Sequence, residues 1–325
     1  MKKIMIVLTA LLLVLVGCSK EGGKDSDVSA KYKIGVIQLI EHGSLDASYD
    51  GMIAQLDKEL GKDNYSVDYK NASGDQTVVE QVVSKFVNDK VDLIYAIATN
   101  AAQSAVNAVD GTDIPVVFNA VTDPVSAQLV DSMDQPGGNV TGVTDISPVK
   151  VQLEIVKEIL PNAKKVGIVY NVGEVNSSYQ IDLITKVAKE LNIEIISKGV
   201  SDASEIPLVT KSLLDEVDAL FNITDNMIVN ATATLVGLAN DVKKPVFASE
   251  DGQFDQGILA AESLSYFGLG EASGSIIKSI LVDGKKPSDI PVVKSEVTTL
   301  YVNKDAASLI SLELPQSVLN RATIR

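Results

Sequence analysis

Two stretches decide the fold: Val91-Asp92-Leu93-Ile94-Tyr95-Ala96-Ile97-Ala98-Thr99-Asn100 and Val217-Asp218-Ala219-Leu220-Phe221-Asn222-Ile223-Thr224-Asp225-Asn226. They align without a gap. Each runs from an acid through a short apolar segment into Thr, Asn or Asp, the pattern of a buried strand followed by a helix start. In both copies an Ala-rich helical pattern comes next, then a strand opened by Pro-Val at Pro115 and at Pro245. A strand–helix–strand unit present in both halves implies two similar lobes rather than one large sheet.

The flanking segments extend the same alternation. Tyr32 to Gln38 reads as a buried strand and Ser44 to Leu60 as a helix; Ser66 to Lys70 is a strand and Thr77 to Asn88 a helix. The pattern restarts with a helix over Val149 to Leu160 and a strand over Lys165 to Tyr170, much like the first strand. Helices at Ser177 to Leu191, Glu205 to Leu214 and Met227 to Ala239 alternate with strands at Glu194 to Lys198, Ala219 to Ile223 and Pro245 to Ala248. This order predicts an α/β protein with two Rossmann-like lobes and parallel sheets covered on both faces. Ligands of such sheets sit at the strand C-termini, and two lobes facing each other there enclose a cleft.

The N-terminus carries an export signal. Lys2 and Lys3 precede an apolar run from Ile4 to Val16, shorter than the roughly 20 residues a membrane-spanning helix needs. It ends in Leu15-Val16-Gly17-Cys18, the residue types of a lipoprotein cleavage box, and Cys18 is the single cysteine of the chain. Residues 1–17 are therefore expected to be removed, and Cys18 to carry the lipid that anchors the protein to the membrane. Residues 18–30 are Gly-, Ser-, Lys- and Asp-rich and read as a flexible tether.

Composition narrows the chemistry. With one cysteine there is no disulfide framework, and the 46% hydrophobic content must supply the core. The formal charge of −15 argues against nucleic acid or an anionic membrane face as ligand. His42 is the single histidine, which removes Cys-His catalysis, His-rich zinc sites and nearly every Ser-His-Asp arrangement. There is no G-x-S-x-G, P-loop or G-x-G-x-x-G. The expectation is a binding protein without enzyme activity, cofactor or metal; a secreted α/β hydrolase using paired carboxylates is the catalytic alternative.

Several ordered motifs carry a family resemblance: Ile37-Gln38-Leu39-Ile40-Glu41-His42, Ala96 to Gln103, Phe118-Asn119-Ala120-Val121-Thr122-Asp123-Pro124, Pro136 to Val143, Tyr170 to Ser177, and Thr224-Asp225-Asn226. Across the mature chain the sequence resembles ABC-transporter substrate-binding proteins, in particular the branch that takes up tryptophan and other aromatic amino acids. It departs from the family pattern at Asn100, where proline is common, and at Ser249-Glu250-Asp251, where Gly-Asp-Thr-like sequences are common. The resemblance implies a periplasmic-binding-protein-like fold of type I with three crossovers. The first lobe would take 31–145 plus 252–283, and the second 146–251 plus 284–325. It further implies a monomer outside the cytoplasm, closing on an amino acid and docking on an ABC permease with its ATPase. A ligand-sensing lipoprotein on the same fold is the other reading.

The candidate ligand residues cluster at strand ends. They are Gln38, Glu41 and His42; Thr99, Asn100 and Ala101; Ala120 and Thr122; Tyr170, Glu174, Asn176 and Ser177; Asp225 and Asn226; and Glu250 and Asp251. Thr99 and Asn100 begin a helix, where free amides favour a ligand carboxylate, although Thr99 as a plain cap gives the same pattern. Asp225 holds the matching place in the second lobe and is expected either to accept from a ligand ammonium or simply to cap its helix. Tyr170, Phe118 and Tyr49 are the candidates for stacking on an aromatic ligand, since the chain has no tryptophan.

Overall fold

The computed structural model describes residues 30–325. The signal segment, Cys18 and the tether up to residue 29 lie outside the described residues. The chain opens with strand β1 (Tyr32–Gln38), helix α1 (Gly43–Glu59), β2 (Tyr65–Asn71), α2 (Gln76–Asn88), β3 (Leu93–Ile97), α3 (Thr99–Ala108), β4 (Val116–Asn119) and β5 (Val140–Thr144). It continues through α4 (Val149–Ile159), β6 (Lys165–Asn171), α5 (Val175–Glu190), β7 (Glu194–Val200), α6 (Ile206–Leu214), β8 (Ala219–Asn222), α7 (Asn226–Asn230), α8 (Thr232–Asp241) and β9 (Val246–Ala248). The last part holds β10 (Ala260–Leu264), α9 (Tyr266–Leu281), β11 (Val293–Lys294), β12 (Thr298–Val302), α10 (Lys304–Leu309), α11 (Gln316–Leu319) and β13 (Thr323–Ile324).

Two sheets result, in the orders β11-β5-β4-β3-β1-β2 and β13-β12-β10-β9-β8-β6-β7. The repeated stretches occupy equivalent places: β3 lies between β1 and β4, and β8 between β6 and β9. All pairings are parallel except β10 with β12. Central strands are buried along their whole length, as Leu93 to Ile97 shows, because helices cover both faces.

Sheet membership moves two of the three crossovers. The chain leaves the first sheet after β5. It returns not at residue 252 but at Ser265, because β10 pairs with β9 and β12 in the second sheet. It crosses for the last time after β11, which adds an edge strand beside β5, rather than at residue 284. Short runs of small residues such as Ala260-Ala261 do not announce a strand by their period, and pairing alone reveals them.

Helix α9 completes the first lobe by lying against α1 with almost no side chain between them. A Cβ on Gly51 would collide with the carbonyl oxygen of Phe267, and one on Gly270 with that of Ser48. One on Gly274 would come within 2.7 Å of the Gln55 Cβ. Gly270→Ala is therefore expected to destabilise the protein by about 1–3 kcal/mol in denaturant unfolding. Gly237→Ala, in α8 with nothing within 4 Å of the added methyl, should instead stabilise by about 0.5–1 kcal/mol through helix propensity.

Candidate functional site

The C-terminal ends of the two sheets face one another and enclose a small cavity. His42, Leu45, Ala120, Asp145 and Tyr266 line it from the first lobe, and Asn176, Thr224, Asn226, Val229 and Glu250 from the second. Its volume is about 10 Å³, room for a single water, so the lobes are shut. Polar contacts cross the seam around it. Ser44 Oγ donates to Glu250 Oε2. The hydroxyls of Thr122 and Thr224 lie 3.2 Å apart, His42 Nε2 is 3.4 Å from Asn226 Oδ1, and Asn100 Nδ2 lies 3.5 Å from the Gly173 carbonyl.

Backbone geometry at the strand ends shapes the first-lobe wall. Ala98 sits at φ 82°, ψ 156°, a region that costs a non-glycine residue about 1–3 kcal/mol. Its N–H is held by the Asn119 carbonyl at 3.0 Å, and Ala120 follows with φ 53°. These two turns place the start of α3 at the cleft. No side chain caps that helix, so the amides of Thr99, Asn100 and Ala101 keep their donor capacity, although none of these three residues lines the cavity.

Several expected residues are close to the cavity yet fully engaged elsewhere. Asp225 does not face it: one carboxylate oxygen caps α7 through the Ile228 amide at 3.0 Å, and the other accepts from the Asn171 amide at 2.6 Å and Ser177 Oγ at 2.7 Å. The expectation of an ammonium on Asp225 is thus replaced by a helix-capping role, which also consumes Ser177. Glu174 braces the same helix, accepting from the amides of Asn226 at 3.1 Å and Met227 at 3.2 Å and from Asn176 Nδ2 at 3.0 Å. Gln38 is buried and steadies the loop after β1 through the Ile40 carbonyl and Asp46 Oδ1.

Others lie apart from the cavity. Glu41 is exposed. Tyr170 packs against Gly199 on the neighbouring edge strand, Phe118 is core, and Tyr49 leans on Tyr69 at 4.7 Å between ring centroids. None of the three aromatics reaches the cavity lining. Asp251 is paired with Arg325 at 2.8 Å.

Asp145, Tyr266, Thr224, Leu45 and Val229 were not among the expected residues. Asp145 follows β5 just as Ala120 follows β4, so recognising β5 as a strand is the signal that finds it. Tyr266 opens α9, and its hydroxyl donates to Asp145 Oδ2 at 2.9 Å. Three buried atoms of the lining residues have no hydrogen-bond partner: Asp145 Oδ1, Asn176 Oδ1 and His42 Nδ1. Burial pushes Glu250 up to about 7 and raises Asp145, while it pushes His42 down to about 4. Burial, with the Glu174 charge beside it, also raises Asp225. Among the described residues no cluster of His, Cys, Asp and Glu is placed to hold a metal, and no helix is long and apolar enough to cross a membrane.

Residues 33–324 match the profile of a family described as ABC transporter substrate binding protein. A tyrosine-binding protein of Clostridioides difficile strain R20291 is 40% identical over 324 residues, covering 96% of this chain and 93% of that protein. An ABC domain from Streptococcus pneumoniae solved in complex with L-Trp is 34% identical, covers 91% of this chain and 99% of its own, and superposes with a TM-score of 0.87. The ligand-free, open structure of a Clostridium difficile substrate-binding protein with adhesive properties is 36% identical over 90% of this chain and 99% of its own, with a TM-score of 0.69. More distant solute-binding proteins share the type I two-lobed fold.

The buried acids give stability a distinctive pH dependence. With folded-state values raised to about 7, Asp225 and Glu250 bind protons that the unfolded chain does not, so stability increases as pH falls from about 7 toward the usual carboxylate range, and burial of Asp145 acts in the same direction. His42 opposes this, because a lowered imidazole loses stability as pH falls below 6.5 toward about 4. The two carboxyls raised to about 7 outweigh the one imidazole. The thermal midpoint of the ligand-free protein should be higher at about pH 5.5 than at about pH 8, and the reverse order would contradict these assignments.

Proposed function

The chain belongs to the ABC transporter substrate-binding protein family, and from that premise we propose that it captures an aromatic amino acid between its lobes for delivery to an ABC permease and its ATPase. The observation that carries the reading is the pair of unpartnered buried acceptors, Asp145 Oδ1 and Asn176 Oδ1, one from each lobe, in the enclosed cavity. A buried acceptor left empty is costly, and an ammonium brings three donors to a space walled by acceptors. The uncapped start of α3 offers amides to the ligand carboxylate. His42 and Tyr266 supply flat surfaces, and Leu45 and Val229 an apolar wall, for an aromatic side chain. The related proteins that bind tyrosine and L-Trp support the same substrate class.

An aromatic amino acid needs more room than the shut cavity holds, so the lobes part to admit it and close around it. The lipid expected on Cys18 would keep this motion at the outer surface of the cell membrane, next to the permease. No step of the reading requires the protein to break or form a covalent bond in its ligand.

Calorimetric titration of the mature protein, unfolded and refolded to strip bound solute, tests the proposal with L-tyrosine, L-tryptophan and L-phenylalanine. One-to-one saturation is expected with at least one of them. Asp145→Asn should weaken it about 30-fold or more, the loss of a buried charge contact of about 2 kcal/mol or greater. Absence of heat with all three would defeat the substrate assignment.

A further inference from the structure

We propose that Glu250 makes closure of the lobes conditional on a cationic group in the cleft, and so selects ammonium-bearing solutes over otherwise identical acids. The inference rests on reading the cleft as an amino-acid site, and concerns a residue on the lobe opposite Asp145. Glu250 follows β9 and is almost completely buried. Its Oε2 accepts from Ser44 Oγ across the seam and from the Gly252 amide at 2.7 Å, and its Oε1 from Gln253 Nε2 at 2.6 Å. The contact with Ser44, at the start of α1, exists only while the lobes are together. Glu250 therefore reads whether the cleft is shut.

The charges around it explain what that reading depends on. Asp145, from the end of β5, lines the same cavity with one oxygen on the Tyr266 hydroxyl and the other unpartnered. Asp251 adjoins Glu250 on its own segment and is already paired with Arg325. Tyr266, from α9, and His42, ahead of α1, complete the titratable groups lining the cavity, and burial keeps both uncharged near neutral pH. No lysine or arginine is among the lining residues. Shutting the empty cleft thus buries two carboxyls from opposite lobes without a counter-cation, an arrangement that favours either protonation or an open cleft. A ligand ammonium supplies the missing charge and lets both acids stay ionised.

The sign follows from linkage. In the shut, empty form burial pushes Glu250 up to about 7; parting the lobes would relieve that burial and move it back toward the ordinary carboxylate value. Between those limits the shut form takes up a proton that the open form does not. Each unit of falling pH then shifts the empty protein toward the shut form by up to about tenfold per such acid. Above about 7 this proton-linked bias toward the shut form is lost.

Small-angle scattering of the stripped protein, with paired titrations, tests this. Wild type without ligand should be open at about pH 8 and contract at about pH 5. Glu250→Gln, which keeps the side-chain shape, should already be contracted at the higher pH. Its preference for L-tyrosine over 3-(4-hydroxyphenyl)propanoate, the same molecule without the ammonium, should fall about tenfold or more relative to wild type. A Glu250→Gln protein as open as wild type at the higher pH, with its preference unchanged, would overturn the proposal. So would a stripped wild type whose dimensions do not respond to pH, a measurement that needs no variant. If wild type binds none of the aromatic amino acids the substrate reading fails, and the scattering of the empty protein still decides the role of Glu250.

Discussion

The close approach of α1 and α9 is the contact from which the cleft is built. Glycines at 51, 270 and 274 let the two helices meet nearly backbone to backbone. That contact draws the returning chain onto the first lobe after it has passed through the second. One end of α9 thereby presents Tyr266 to Asp145, while the start of α1 presents His42, Ser44 and Leu45 to the other lobe. Side chains far apart in the sequence converge because two helices have no room to sit anywhere else.

Buried carboxylates divide into two kinds. Glu174 and Asp225 wrap the start of α7 and spend their oxygens on its amides and on neighbouring side chains, so they behave as part of the scaffold. Asp145 and Glu250 lie at the seam, where one has an empty acceptor and the other reaches across to the opposite lobe. Burial alone does not distinguish a ligand contact from a cap. The partners of each oxygen do.

Much of the architecture was legible because it repeats. The aligned stretches at Val91 and Val217 place β3 and β8 in equivalent positions of two sheets, and the apolar runs around them mark most of the remaining strands. The later crossovers were not legible: β10 is rich in alanine and β11 has two residues, and neither carries a period. The site was half legible for a related reason. His42, Ala120, Asn176, Asn226 and Glu250 follow recognisable strands, whereas Asp145 follows β5, whose Thr141, Gly142 and Thr144 hide it. Asp225 misled because an aspartate at a helix start looks the same whether it faces its own amides or a ligand.

The order in which strands enter the sheets bears on how the molecule is born. A chain released N-terminus first has the central strands of its first lobe within the first 145 residues, yet the edge strand β11 arrives only at Val293. The second sheet likewise waits for β12 and β13 in the last stretch before Arg325. Each sheet thus takes one of its edges from the same late segment. Synthesis therefore delivers the outer strands of both sheets last, and neither sheet has its full set of strands until that segment has emerged.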